Sequence, residues 1–162
     1  MEQIALISYL SSVRSANSST ISKRTNQTIS RVLKHLDELL ERGIVTKMGD
    51  AFCLGETWKW ILPDLVAIEV KVSDWRRGLQ QASRNTLFAA RSYLAVPLHT
   101  AKRIKGDAFA LNSGIGILGI CEDGTIQVVK RSRRRRPRVW SYYYRVARAV
   151  SAGAQSATCP TK

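Results

Sequence analysis

The sequence predicts a mixed α/β protein in which a helical N-terminal third is followed by alternating strands and helices. Apolar residues recur from Ile29 to Leu40 at the spacing of an amphipathic helix. Beyond residue 56, short apolar runs rich in β-branched residues, such as 65–70, alternate with helix-like stretches. The net charge of +14 over 162 residues adds a functional constraint. An anionic partner such as nucleic acid would offset that self-repulsion.

Residues 1–55 are expected to form one small domain of three helices and a β-hairpin. Gly43 ends the third helix, because glycine is common just past a helix C-terminus. Gly49 suits the tight turn between the two strands. The predicted elements are helices over 2–13, over 20–23 and from Ile29 to Gly43, then strands over 44–47 and 51–54.

This set of elements resembles a winged helix-turn-helix domain, and the run from Thr28 to Val45 is similar to a recognition helix and its exit to the wing. The resemblance implies contact with DNA through the N-terminal half of that helix. Polar side chains there can hydrogen-bond to base edges or phosphates. They are Asn26, Gln27, Ser30, Arg31 and Lys34. A winged helix used for protein contacts or dimerisation is the alternative.

Two charged residues, Glu69 and Lys71, interrupt the apolar run that begins at Leu65. Side chains alternate across a strand, so residues spaced by two emerge on the same face. Charges within a buried strand cost free energy unless they have partners or a function. The following helix-like run brings Gln81 and Asn85, four residues apart, back towards this neighbourhood.

The order of these features resembles the PD-(D/E)xK superfamily of nucleases, with its restriction-endonuclease-like mixed sheet. The similarity runs from Pro63 to Ile126 and includes the E-x-K element, a helix from Asp74 to Ala82 and a strand over 92–97. The resemblance implies metal-dependent cleavage of phosphodiesters. Glu69 would bind Mg²⁺ or Mn²⁺, assisted by the Val70 carbonyl. Lys71 would orient the attacking water, and Gln81 would lie behind the ligands or touch DNA.

The superfamily also supplies an upstream carboxylate, for which this chain offers two candidates. Asp64 lies five residues before Glu69, so a continuous strand puts it on the opposite face unless a bulge re-aims it. Alternatively, a turn at Pro63 pairs residues 56–61 with 66–71 and places Glu56 opposite Lys71. Asp64 and Glu56 both remain candidate metal ligands. A degenerate domain that only binds DNA also remains open.

The C-terminal third contains the densest positive charge of the chain. A helix over 98–111 and a hairpin of 114–121 with 125–129 are expected first. The run 130–138 is then either a phosphate-binding arm or a solvated linker. An amphipathic aromatic segment from Trp140 to Val150 would dock, and residues 151–162 would be disordered. The arginines expected to contact DNA are Arg133, Arg134, Arg135 and Arg136.

Three domains are therefore expected: a winged helix over 1–55, a nuclease-like domain over 56–130, and an arm, docking helix and tail over 131–162. Ile115–Cys121, the longest apolar run, is too short to span a membrane. The N-terminus begins Met1-Glu2 without the basic region of a signal peptide, so no signal peptide is expected. Three widely spaced cysteines fit a reducing cytoplasm. We expect a cytoplasmic DNA-binding protein that hydrolyses DNA with Mg²⁺, and a homodimer is its expected assembly. A non-enzymatic regulator or architectural protein is the alternative.

Overall fold

The computed structural model describes residues 2–62 and 64–156, and the chain divides into two compact units. The first unit combines residues 1–62 with the segment that begins at Trp140, and the second spans residues 63–139. These limits differ from the expected ones. Residues 56–62 lie in the first unit and residues 131–139 in the second. Both units mix helices and strands, which confirms the mixed α/β class.

The N-terminal portion of the first unit contains three helices and a small antiparallel sheet, and a fourth, short helix follows the sheet. The Asn17 side chain accepts a hydrogen bond from the Thr20 N–H and so caps the second helix. The sheet has the order β1-β3-β2. In chain order the elements are α1 (Glu2–Ser12), β1 (Ala16–Asn17), α2 (Ser18–Thr25), α3 (Ile29–Glu41), β2 (Val45–Met48), β3 (Ala51–Leu54), α4 (Glu56–Lys59) and, from the C-terminal segment, α8 (Trp140–Ser156).

The amphipathic pattern of α3 has the buried face that its spacing predicts. Val32, Leu36 and Leu39 are buried, at spacings of four and three residues. At the start of the helix, Ile29 and Leu33 remain 45% and 42% exposed. The predicted third helix and both strands of the hairpin are therefore confirmed to within one or two residues.

Helix α8 packs against α1, and its buried Tyr144 contacts that helix at Ser11. The Tyr144 hydroxyl donates to the Trp58 carbonyl at 2.7 Å and lies 2.8 Å from Ser11 Oγ. Burial raises the pKa of Tyr144 to about 12, so the hydroxyl stays protonated. The expected docking helix is thus present, and it continues to Ser156, beyond the residue where the tail was expected to begin. Residues 157–162, the rest of that predicted tail, lie outside the described residues.

The predicted β-hairpin between residues 56–61 and 66–71 is wrong. Residues 56–59 form α4 instead, and the predicted turn residue Pro63 lies outside the described residues. The Tyr143 hydroxyl accepts a hydrogen bond from the Leu62 N–H at 2.6 Å, and Trp60 packs edge-on against Trp140. The segment from α4 to Leu62 therefore makes its contacts with aromatic side chains of α8 and not with a neighbouring strand. The strand register that put Glu56 opposite Lys71 does not exist.

The second unit is a four-stranded sheet with helices between its parallel strands. The sheet order is β4-β5-β6-β7; the first three strands are parallel and β7 is antiparallel to β6. The expected single helix over 98–111 is two helices, because Asp107 caps a new one by accepting from the Ala110 N–H. The elements are β4 (Val66–Val70), α5 (Trp75–Asn85), β5 (Arg91–Pro97), α6 (Leu98–Ile104), α7 (Ala108–Ser113), β6 (Gly116–Ile120) and β7 (Ile126–Lys130).

One hydrophobic cluster joins the three helices of this unit to alternate residues of β5 and to one residue of β6. Leu79 and Ala82 of α5 meet Leu94 and Val96 of β5 there, together with Ile117 of β6. All three helices consequently cover the same face of the sheet. This is the expected result when successive parallel strands are joined by crossovers of one hand.

Candidate functional site

The arginine-rich run, residues 131–138, is folded against the second unit, and we call it the arginine segment. The backbone N–H of Arg133 donates to the Gly114 carbonyl, and that of Arg135 donates to the Ala90 carbonyl. The Arg138 N–H donates to the Leu87 carbonyl, and each of these three hydrogen bonds is 2.9 Å long. The segment is therefore neither a free arm nor a solvated linker, because its backbone is bound at intervals along its length.

A buried serine anchors the start of the arginine segment. Ser132 is 5% exposed, and its hydroxyl accepts a hydrogen bond from the Ser92 N–H at 3.1 Å. The Arg91 guanidinium donates to the Ser132 carbonyl at 2.9 Å. With Ser132 turned inward, the side chains of Arg131, Arg133, Arg134, Arg136 and Arg138 are exposed, while that of Arg135 is half-buried. The structure thus presents a row of guanidinium groups on an ordered backbone.

The E-x-K element lies at the end of β4. Glu69 Oε1 and Lys71 Nζ are 3.1 Å apart, with 23% and 28% of the two side chains exposed. The prediction that both side chains share one face is confirmed. Both lie on the face covered by α5, because the Lys71 stem crosses that helix at Gly78. A Cβ at Gly78 would lie 2.8 Å from Lys71 Cγ.

Gln81 follows Gly78 by one helical turn and extends the same neighbourhood. Helix α5 runs antiparallel to β4, since it returns the chain to the start of the parallel strand β5. The next residue, Ala82, accepts a hydrogen bond from Ser92, which pairs with Ala67 in the sheet. Gln81 therefore lies level with the stretch from Ala67 to Glu69. Its Oε1 atom is buried and has no hydrogen-bond partner among the described residues.

These groups fit a hard divalent cation in chemical type. Glu69 supplies a carboxylate and Gln81 an amide oxygen. The Val70 carbonyl was the other predicted ligand. Because the Lys71 N–H donates to the Ala95 carbonyl, the Val70 carbonyl points to the opposite side of β4, away from β5. Residues 2–62 and 64–156 contain no cluster of three His, Cys, Asp or Glu side chains that could share an ion. Glu69 is the carboxylate that the structure shows beside Lys71, and one carboxylate with an amide oxygen makes a weak cation site.

Asp64, one of the two candidates for the second carboxylate, forms an ion pair with Arg134. Its Oδ1 atom lies 3.1 Å from Arg134 Nη2, and its side chain is 70% exposed. In the described part of the second unit, β4 pairs only with β5, so no strand carries an acidic ligand on its other side. The other candidate, Glu56, forms an ion pair with Lys59 at 2.6 Å within α4.

The side chains expected to contact DNA from the first unit divide into two groups. Ser30 and Lys34 are exposed on α3, and Asn26 is exposed where it ends α2 with a φ of 52°. Gln27 and Arg31 instead contact Glu2, with an Arg31–Glu2 distance of 2.9 Å. A hydrogen bond to His35, together with the charge of Arg31, lowers the pKa of the Glu2 carboxyl. Nothing in the sequence pattern had indicated this role for Glu2.

The sequence also gave no indication of a cleft where the parallel strands end. A cavity of about 810 Å³ opens beside the carboxyl ends of β4, β5 and β6. Its lining includes Lys71, so the cleft adjoins the E-x-K element. The alternation of strands and helices beyond residue 56 is the signal that could have indicated this cleft. Such alternation is typical of a parallel sheet, and ligands commonly bind at the carboxyl ends of parallel strands.

Comparisons with protein-family models, with curated proteins and with solved structures find no match for this chain. No helix within residues 2–62 and 64–156 is long and apolar enough to cross a lipid bilayer.

The close approach at Gly78 supports a stability prediction. In Gly78→Ala the new methyl would lie 2.7 Å from Leu94 Cδ1 and 2.8 Å from Lys71 Cγ. We expect a loss of about 1–3 kcal/mol in the free energy of unfolding, despite the better helix propensity of alanine. Urea denaturation followed by circular dichroism measures it. Gly106→Ala is the control, because a Cβ there meets nothing within 4 Å, and an equal loss in both variants would contradict the packing argument.

Proposed function

We propose that this chain is a DNA-binding protein, and the arginine segment is the observation that carries the proposal. Exposed guanidinium groups on an ordered backbone can contact successive phosphates without the entropy loss that a flexible arm would suffer. Residues 63–139 contain 15 of the 26 Lys and Arg residues but only six of the 12 acidic residues. The second unit therefore has the larger share of the positive charge that would attract DNA.

The topology of the first unit supports the same proposal. The order α1-β1-α2-α3-β2-β3, with β1 paired to β3, is the one expected for a winged helix. In such a domain α3 would enter the major groove. Its exposed residues Ser30 and Lys34 would contact DNA directly, together with Asn26. Arg31 and Gln27 would have to leave Glu2 to do so.

A second candidate function, Mg²⁺-dependent hydrolysis of DNA phosphodiesters, is favoured by the group formed by Glu69, Lys71 and Gln81. When bound, the metal would activate water and polarise the phosphate. Glu69 would hold it with the amide oxygen of Gln81, and the Lys71 ammonium would offset negative charge on the phosphate. A homodimer would supply the two sites needed to cut both strands. If the single carboxylate cannot hold a metal, the protein is a non-enzymatic regulator or architectural protein.

The contribution of α3 to DNA binding can be tested with one pair of variants. We expect Lys34→Ala to weaken duplex binding about 3- to 10-fold, because one phosphate or base contact is lost. Lys59→Ala removes the same charge from the same unit, but its partner is Glu56, so little change is expected. Fluorescence anisotropy with a labelled 20-base-pair duplex measures both. Wild-type affinity in Lys34→Ala would make the first unit a protein-contact module.

A further inference from the structure

The cleft at the carboxyl ends of the parallel strands is lined in part by apolar side chains, which we call its floor; two of them, Val70 and Val72, are 59% and 83% exposed. Val70, Val72, Leu98 and Ile120 line it, with Pro97 at the end of β5. Its volume of about 810 Å³ lies within the range of pockets that enclose small organic ligands. Phosphate recognition alone needs no apolar surface of this kind. The floor therefore indicates a ligand that also has a flat, poorly hydrated part.

The rim of the cleft carries lysine and histidine side chains as well as two carboxylates. Lys71, His99 and Lys102 line it. Among the described residues, His99 and Lys102 take part in no ion pair, whereas Lys71 contacts Glu69. Both acidic residues of the rim carry negative charge. The Asp123 carboxylate accepts hydrogen bonds from the N–H and hydroxyl of Thr125, which lower its pKa, and Glu122 is exposed to solvent. Lys102 is therefore the lysine of the rim that a phosphate could reach without displacing an ion pair seen among the described residues.

We propose that this cleft binds a single unpaired nucleotide of DNA. The inference rests on the proposed DNA-binding function and names its substrate class. The base would lie on the floor formed by Val72, Leu98 and Ile120, and its phosphates would contact Lys102 and His99. A paired base cannot enter, because its faces are covered by stacked neighbours and its edge is bonded to the complementary strand. DNA with a single-stranded end, a flap or a mismatch would therefore bind better than continuous duplex.

Lys71 connects the cleft to the E-x-K element. It lines the cavity and also contacts Glu69. A nucleotide held in the cleft would consequently bring its phosphodiester beside Glu69. The cleft would act as a substrate-positioning site whether or not the phosphodiester is then cut.

The test compares two DNAs with the full-length protein in EDTA, so that no cleavage occurs. One is a blunt 20-base-pair duplex, and the other is the same duplex with a three-nucleotide overhang that contains 2-aminopurine. We expect the overhang DNA to bind at least 10-fold more tightly, with a change in 2-aminopurine fluorescence as the base leaves the stack. The measured quantity is the ratio of the two affinities.

Two variants and one control decide whether the cleft causes this preference. Lys102→Ala removes a rim cation and Val72→Glu puts a charge on the floor, and both should reduce the ratio towards one. Lys105→Ala removes an exposed cation outside the cleft and should keep the wild-type ratio. Equal affinity of wild-type protein for the two DNAs, or an unchanged ratio in both cleft variants, would overturn the proposal. Absence of binding to either DNA would instead refute the proposed function itself.

Discussion

Replacing Arg133, Arg134 and Arg136 together with alanine is expected to weaken duplex binding about 100-fold at low salt. Each guanidinium that neutralises a phosphate releases counterions, which contributes about −0.9 to the slope of log affinity against log salt concentration. Loss of three contacts should therefore flatten that slope by about 2.7. Anisotropy titrations of a labelled duplex over a series of salt concentrations measure both effects.

The fold should survive this triple substitution. Backbone N–H groups hold the arginine segment in place, and those bonds do not depend on the side chains. The ion pair between Arg134 and Asp64 is exposed, so its loss changes stability little. Arg135 is left unchanged because its guanidinium lies close to Gly114. Thermal unfolding of the variant measures any loss of stability that removal of the three side chains causes.

A charge-matched control separates local contact from net charge. Arg84, Arg103 and Lys105 are exposed cations on or beside helices of the same unit. Their replacement with alanine also removes three charges, but it leaves the arginine segment intact. The control should retain most of the wild-type slope. If both triple variants lose equal affinity, general electrostatic attraction explains the binding and the arginine segment has no special role.

Glu69→Gln is expected to abolish any Mg²⁺-dependent cleavage of DNA, with a fall in kcat of at least about 10³-fold. The amide cannot supply the one carboxylate that the site offers to a cation. Lys71→Met keeps the aliphatic stem over Gly78 but removes the ammonium, so metal binding should persist while turnover is lost. Cleavage of labelled DNA with and without EDTA measures turnover, and calorimetry with Mn²⁺ measures binding.

Asp64→Asn and Glu56→Gln test the two candidates for the second carboxylate. Asp64 is largely exposed and paired with Arg134, so its variant should retain activity unless the chain segment before β4 rearranges. A dead Asp64→Asn variant would identify that residue as the missing ligand, and a dead Glu56→Gln variant would identify Glu56. If wild-type protein with Mn²⁺ cuts no duplex, branched or single-stranded DNA and binds no metal, hydrolysis is refuted. The non-enzymatic regulator would then be the better description.

The features that the sequence determined by itself depend on neighbouring residues. Alternation along a strand puts Glu69 and Lys71 on one face wherever the strand packs. Helical periodicity places Val32, Leu36 and Leu39 in the core for the same reason. The turn at Gly49, with a φ of 60°, requires a backbone conformation that glycine adopts readily. Such features could be predicted because only a few consecutive residues are involved.

Only the tertiary structure decided which surfaces meet. The residues that were predicted to pair with β4 form helix α4 and the turn after it instead. They do so because Tyr143 and Tyr144, some 80 residues away in the chain, form hydrogen bonds with Leu62 and Trp58. The arginine segment is ordered by carbonyls at Leu87, Ala90 and Gly114, which its own composition does not reveal. The cleft exists because the ends of three separate strands lie side by side. Local periodicity sets the direction of each side chain, whereas contacts between distant segments depend on the packing of the whole unit, which no local pattern contains.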